Sequence, residues 1–400
     1  MRADRRAAWW FALGAICSAG AGVLWFGGLP ATAPAARPAR AAQGSHRRML
    51  ARRRALTIDF VGDVMLGGGV ADVVRERGAD AVFAEVRPWL DSADAVVGNL
   101  ECVLSARGTP TPAKSAAAVA DHREWLLRGD PRGAPALARA GFAAMTLANN
   151  HSLDYGPQAM DDTLAALRAA GIAATGAGDD LAQARRPAVF MRDGIRVAIL
   201  GVSEILPRGE WATATRPGVA PGRGLAVTSI GPGFVREMAR RVRAARARAD
   251  VVVVFEHWGT ELVSRPTPDQ VRFAHAMIDA GAQLVVGAHP HVLGPLERYR
   301  GGLIAYSLGN FVFDTEPGVA ARSAVLRVRF VGGRLVAWEA LPVVIAGGAP
   351  HPAGVPAALD VAGALGAAAR CVDGLRMPGV CGGAAGSRRT AVHHLPGTSS

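Results

Sequence analysis

Lysine is all but missing from this 400-residue chain: Lys114 stands alone among 45 Lys and Arg residues, so arginine carries the net charge of +12. Aromatic residues are scarce as well, at 6%. No basic–aromatic platform of the kind that stacks bases accompanies the charge, which argues against a nucleic-acid partner. A polyanionic substrate or an anionic surface suits the excess better. The arginines are scattered, apart from Arg47, Arg48, the stretch 52–54 and a run from Arg236 to Arg248 whose helical spacing reads as a solvated face. Cysteine is limited to Cys17, Cys102, Cys371 and Cys381. Their spacing excludes a Cys-based zinc site and offers no thiol nucleophile; Cys102 reads as a small buried side chain. Cys371 and Cys381 stand close enough in sequence for a disulfide outside the cytoplasm. No solenoid repeat is present, and half of the residues are hydrophobic. The chain is therefore globular, with room for one large or two ordinary domains.

The N-terminus reads as a targeting segment. Arg2, Arg5 and Arg6 precede an apolar, charge-free stretch over 7–28, long enough to cross a bilayer once. A Pro/Ala/Arg-rich linker over 29–55 lacks the composition of a folded element. Ala31-Thr32-Ala33 offers a small-residue cleavage site, so a cleaved signal peptide and a retained membrane anchor both fit. Met49 is an alternative start that would remove the segment. More arginines follow the apolar stretch than precede it, against the positive-inside tendency. On balance the domain over 56–346 is expected on the extracytoplasmic face of a bacterial cell. The remainder, 347–400, is rich in Gly, Ala and Pro and is expected to be a poorly ordered tail.

From Leu56 onward, apolar β-like runs alternate with helical patterns. Strands are expected at 57–61, 95–98, 144–147, 188–191, 197–202, 251–255, 284–286, 303–307, 324–330 and 335–344. Helices are expected at 80–90, 131–140, 157–170, 233–249 and 267–280. Pro157 and Pro268 suit first helical turns. Arg192-Asp193-Gly194 and Val331-Gly332-Gly333 read as hairpin turns. The segment 211–228 reads as an irregular loop. The alternation implies an α/β fold of mixed sheets, with antiparallel hairpins added to βαβ units.

Several apolar runs end in chemistry-bearing residues. Leu-Val-Val-Gly-Ala-His-Pro-His (284–291) ends in two imidazoles at i and i+2, a spacing that puts both on one face of an extended backbone and suits a divalent metal. Asp63, Asn99 with Glu101, Asn149-Asn150-His151 and Glu256-His257 close other runs in the same way. A carboxylate leaving a buried strand needs a partner, either an Arg or a metal ion. An Asn amide oxygen can ligate a divalent ion while the adjacent His serves as an acid. Asp154 suits two tasks, orienting His151 or capping the helix that follows. Asn99, Asn149 and Glu261 are placed behind the ligands. His46, His122, His275, His351, His393 and His394 lack such company and read as surface or packing residues. This mixed oxygen and imidazole set suits one or two divalent ions, Mn, Fe or Zn, which would acidify bound water.

The ordered motifs Gly-Asp (62–63), Asn-Leu-Glu (99–101), Asn-Asn-His (149–151), His-Trp-Gly-x-Glu (257–261), Gly-Ala-His-Pro-His (287–291) and Tyr-Ser-Leu-Gly-Asn-Phe (306–311) resemble the CapA family. That family is associated with bacterial poly-γ-glutamate capsule synthesis and belongs to the metallophosphoesterase-like superfamily. The resemblance covers roughly residues 56–345 and implies a four-layer αββα sandwich with its site at the sheet edges. It further implies metal ligation by Asp63, Glu101, Asn150, His257, His289 and His291, with Glu101 bridging. His151 would be the acid or transition-state stabiliser, and Asn310 would line the site. Two departures matter: Met65 stands where the superfamily has the His of Asp-x-His, and Glu101 where it has Asp. The function implied is a metal-dependent, hydrolase-like role in capsule polymer biosynthesis. It would act on a phosphoester or γ-glutamyl amide of an anionic polymer, beside membrane polymer synthase and export proteins. The alternatives are a general metallophosphoesterase and a non-catalytic subunit of a synthesis and export complex.

Overall fold

The computed structural model describes residues 54–222 and 230–366, with the backbone of 371–372 and 375–376. The apolar N-terminal stretch, most of the linker and the Cys371/Cys381 side chains lie outside the described residues. Among the described residues, no helix is long and apolar enough to cross a membrane.

From the N-terminal side, β1 (Ala55–Val64), β2 (Ala95–Leu100), β3 (Phe142–Thr146) and β4 (Ala173–Thr175) lie parallel in one sheet. The second sheet is built from β5 (Ala188–Arg192), β6 (Ile195–Ser203), β7 (Val251–His257), β8 (Leu284–Ala288), β9 (Leu296–Tyr299) and β10 (Gly302–Ala305). Its order is β9-β10-β8-β7-β6-β5, with a parallel centre and antiparallel edges. The chain then returns to the first sheet through β11 (Asn310–Val312), β12 (Arg322–Val331), β13 (Arg334–Ala346) and β14 (Ala349–Pro352). β12 pairs antiparallel with the first part of β1 and β11 parallel with its end, matching Asp63 to Asn310. Both expected hairpin turns form, with positive φ at Asp193 and Gly194 and at Gly332 and Gly333, the backbone that two-residue hairpins require.

Alternation along the strands sorts their side chains into layers. Leu56, Ile58 and Phe60 of β1 meet Val251, Val253 and Phe255 of β7 between the sheets. On the outer face of the second sheet, Val252 and Val254 pack with Phe234, Met238 and Val242 of a helix at Pro232–Arg246 and with Phe273 and Met277 of one at Pro268–Asp279. On the outer face of the first, Val61, Val96 and Met145 pack with Leu137 of a helix at Gly133–Arg139 and with Met160 and Leu167 of one at Gly156–Ala169. Strand period and helix stripe thus give helix, sheet, sheet, helix in succession. This is the αββα sandwich of mixed sheets that the motifs imply.

Two expectations need correction. The helix expected at 80–90 is two short turns, Ala79–Phe83 and Arg87–Leu90, with Pro88 opening the second. Proline has no amide hydrogen and cannot continue the turn before it. A further helix stands ahead of them at Val70–Arg77, where no element is expected. The poorly ordered tail does not begin at 347. β14 pairs with β13, and a helix at Val355–Leu365 buries Val361 and Leu365 in the layer between the sheets. Burial of each such side chain contributes about 1.5–3 kcal/mol, enough to order a segment whose composition reads as coil.

Candidate metal centre

The carboxyl ends of β1, β2, β3, β7 and β8 meet at one rim. β1 delivers Asp63 through Gly62, where a Cβ would stand 1.8 Å from the Gly309 carbonyl oxygen. Only glycine permits that approach, which lets the Asp63 amide donate to the same oxygen at 3.0 Å. Asn99 Nδ2 donates to Asp63 Oδ1 at 2.8 Å, and Asn149 Nδ2 donates to Asn99 Oδ1 at 2.9 Å. Asn149 Oδ1 accepts from the His151 amide at 3.0 Å. This amide relay locks the Asp63 carboxylate and the 149–151 loop into one arrangement.

The second sheet answers from across the rim. His257 Nε2 lies 2.8 Å from Asn150 Oδ1 and 3.5 Å from Glu101 Oε1. The His289 amide donates to Asp63 Oδ2 at 3.2 Å. His289 and His291 both hold positive φ, 94° and 59°. That conformation is uncommon for a side-chain-bearing residue and concentrates at functional sites. His291 Nδ1 lies 2.8 Å from Asn310 Oδ1 and 3.5 Å from Asp63 Oδ2.

Donor atoms of Glu101, His257 and His289 lie within 4.8 Å of one another, as do those of Asp63, Glu101 and His291 and those of Glu261, His289 and His291. Glu261 thus stands with the imidazoles themselves rather than behind them. Asp59 shows how the same sheet satisfies an ordinary buried carboxylate: Arg327 donates to both of its oxygens, at 2.8 and 2.9 Å. No Arg or Lys pairs with Asp63 or Glu101 among the described residues. Both Glu101 oxygens and His289 Nδ1 are buried with no hydrogen-bond partner.

Burial raises the Glu101 carboxyl well above its usual range, and Asp63 beside it adds to the effect. Burial raises Asp63 as well, against the pull of His291. It lowers His257 strongly, and takes His289 down to about 3 with help from His291. Carboxylates driven to hold protons beside imidazoles driven to lose them form a set that a divalent cation would relieve on both counts. The donors fit such an ion. Met65 takes no part in this arrangement that would replace a histidine, since its sulfur accepts from the Gly67 amide at 3.0 Å.

His151 faces a second cluster. Asp154 Oδ2 lies 2.7 Å from His151 Nδ1 and also accepts from the Leu127 amide at 2.6 Å. The helix that follows has no side-chain cap, so orienting the imidazole, not capping, is what Asp154 does. Lys114, the lone lysine, is buried against both residues. It pairs with Asp154, lies 3.1 Å from His151 Nδ1 and donates to the Trp125 carbonyl at 3.0 Å. Burial lowers His151, with Lys114 reinforcing and Asp154 opposing. Lys114 stands out in the sequence only as the single lysine, and Glu210 not at all, because each lies in an irregular Pro-rich segment away from the strand ends that carry the rim.

Glu210 is buried beside this cluster, accepts from Thr111 Oγ1 at 2.8 Å and is pushed up to about 7 by burial. Its folded-state pKa exceeds its unfolded one, so the native state binds the extra proton between about pH 4.5 and 7. Stability therefore falls as pH rises through that window, by up to about 3 kcal/mol from this group. Glu210→Gln should flatten that fall in thermal melts taken from pH 5 to 8; an unchanged slope would refute the assignment.

The remaining histidines match their expected minor roles where described. His275 Nε2 meets Glu297 Oε1 at 2.8 Å and stacks on Tyr299, and His122 is exposed. His46, His393 and His394 lie outside the described residues. Cys102 is buried and its thiol is pushed up to about 12 by burial, which rules it out as a nucleophile.

Comparison with known proteins agrees with the motif pattern. Residues 57–315 match the family described as Bacterial capsule synthesis protein PGA_cap. A capsule biosynthesis protein CapA of Bacillus anthracis is 34% identical over 76% of this chain and 71% of its own length. A PGA biosynthesis protein CapA of Bacillus subtilis (strain 168) is 35% identical over 74% of this chain and 73% of its own. A Mycobacterium tuberculosis (strain CDC 1551 / Oshkosh) protein named "Probable polyglutamine synthesis accessory protein" is 32% identical over 72% and 84%. The matched span runs from β1 to just past β11 and holds every residue of the rim; this chain belongs to the PGA_cap family of bacterial capsule synthesis proteins.

Proposed function

We propose that the chain is a metal-dependent hydrolase-like protein of poly-γ-glutamate biosynthesis, held at or released beyond the cell membrane by its N-terminal segment. The observation that carries the reading is the pair of unpartnered, buried Glu101 oxygens facing His257 and His289 from the opposite sheet. Asp63, Glu101, Asn150, His257, His289 and His291 would hold one or two ions, with Mn, Fe or Zn matching the mixed donor set. Such an ion supplies Lewis acidity and draws the pKa of water down toward neutrality. His151, fixed at Nδ1 by Asp154 and Lys114, would present Nε2 to give a proton to the leaving oxygen or nitrogen. Asn310 would hold His291 in register. The substrate would be a phosphoester or a γ-glutamyl amide of the anionic polymer.

A second reading has Met65 in its favour: with one ligand position lost, the domain would serve as a non-catalytic accessory to a polymer synthase and exporter. Metal quantification on the full chain, with turnover of a model phosphoester and of poly-γ-glutamate, separates the two. The hydrolase reading expects bound divalent metal, turnover, and loss of both in Asp63→Ala and His289→Ala. Metal without turnover favours the accessory role. Wild-type metal content and turnover in both variants would overturn the proposed centre.

A further inference from the structure

The second sheet carries a basic cleft on its outer face, away from the rim. The helix at Pro232–Arg246 covers β6 and β7 but leaves the edge strand β5 bare, and a cleft of about 370 Å³ opens beside it. Arg185, Arg196, Arg241 and Arg248 line it over an apolar floor that includes Ala198 and Leu200. Ala198 precedes Ser203, which pairs with His257, by five residues of strand, roughly 16 Å.

The charges in this cleft are poorly compensated. Glu237 pairs with Arg185 at 2.6 Å; the other three guanidiniums have no carboxylate within ion-pair distance among the described residues. Arg185 Nε is buried without a hydrogen-bond partner. Arg241 is half-buried and gives its protons to the Arg185 carbonyl and the Met238 sulfur. The Arg196 guanidinium reaches the Arg248 carbonyl at 3.5 Å, and the Arg196 amide donates to Asp250 Oδ2 at 2.9 Å. Burial above all, with the neighbouring Arg185 adding to it and Glu237 opposing, brings Arg241 down to about 10. The exposed forks of Arg196 and Arg248, backed by the charges of Arg185 and Arg241 over an apolar floor, match a chain that repeats a carboxylate on a short methylene stem, because guanidinium takes carboxylate in two parallel hydrogen bonds.

We propose that this cleft is a binding site for a polycarboxylate chain, holding the anionic polymer on the outer face while the rim stays open. The identity of that polymer as poly-γ-glutamate rests on the functional reading above; the cleft's affinity for a polycarboxylate does not.

Fluorescently labelled poly-γ-glutamate, titrated against the full chain by anisotropy at low and physiological salt, tests it. Arg196→Ala/Arg248→Ala should weaken binding by about tenfold at low salt and reduce its salt dependence. Metal content, melting temperature and turnover of the model phosphoester should stay at wild-type values. Arg248→Glu, a single exposed change, should weaken binding further and guards against misfolding of the double variant. Arg236→Ala/Arg240→Ala removes the same charge from exposed positions outside the cleft lining and should bind normally. Equal loss in that control, unchanged affinity in the cleft variants, or loss confined to anionic lipid vesicles would each overturn the proposal. A wild-type chain that binds the polymer but turns over neither substrate would fail the hydrolase reading alone.

Discussion

Replacing Glu101 with glutamine is expected to stabilise the metal-free chain and to destabilise the metal-loaded one. In the absence of an ion, the carboxylate is fully buried, lies beside Asp63 and has no hydrogen-bond donor on either oxygen. An ionised group in that position is costly, and an amide of the same shape removes the charge at little loss of packing. The metal-free variant should gain about 2 kcal/mol at pH 7.5, on the scale of uncompensated buried groups. Saturating metal reverses the order. At a thousandfold excess over Kd, binding to the native state alone contributes about 4 kcal/mol. The variant lacks the carboxylate that faces both His257 and Asp63, so it forfeits most of that gain. Thermal melts of both proteins with chelator and with added Mn or Zn measure the crossing. Parallel curves, with glutamine lower under both conditions, would mean that Glu101 is an ordinary structural carboxylate.

Lys114→Met should cost about 3–5 kcal/mol, the scale for breaking a buried ion pair by removing one partner. The ammonium group donates to Asp154 and to the Trp125 carbonyl and lies 3.1 Å from His151 Nδ1, whose proton goes to Asp154. Methionine fills the volume but leaves Asp154 charged, buried and short of a donor. Asp154→Asn in the Lys114→Met background should recover a large part of the loss, because the lone charge is then gone. Urea unfolding of wild type and the two variants decides the matter; a cost below about 1 kcal/mol for Lys114→Met would show that the contact is incidental. Turnover should fall more than stability explains, since the Asp154 carboxylate that fixes the His151 ring loses its counter-ion.

How much of this was legible beforehand follows from where each residue sits. Asp63, Glu101, His257 and His289 close apolar runs, so strand periodicity alone gathers them at one end of a parallel sheet. That two sheets face each other across the rim is not a matter of periodicity, and only the motif resemblance supplied it. Asn99 and Asn149 follow from their strand ends, but the relay that links them depends on side-chain angles that no spacing encodes. The site roles of Lys114 and Glu210 have no sequence signal, because burial in an irregular loop leaves no periodic trace. The helix at Val355–Leu365 is hidden for the opposite reason: its small residues look like coil until a neighbouring layer accepts Val361 and Leu365.

Between β10 and β11 the backbone passes from one sheet to the other through Tyr306-Ser307-Leu308-Gly309, tied to Gly287 by the Leu308 amide and to Asp63 by the Gly309 carbonyl. Side chains able to grip a cation come from both banks of this seam. An ion seated there would act as a rivet, stiffening the crossing from both sides. Hydrogen–deuterium exchange of the Leu308 amide should accordingly slow when metal is added, and an unchanged rate would show that the seam does not feel the ion.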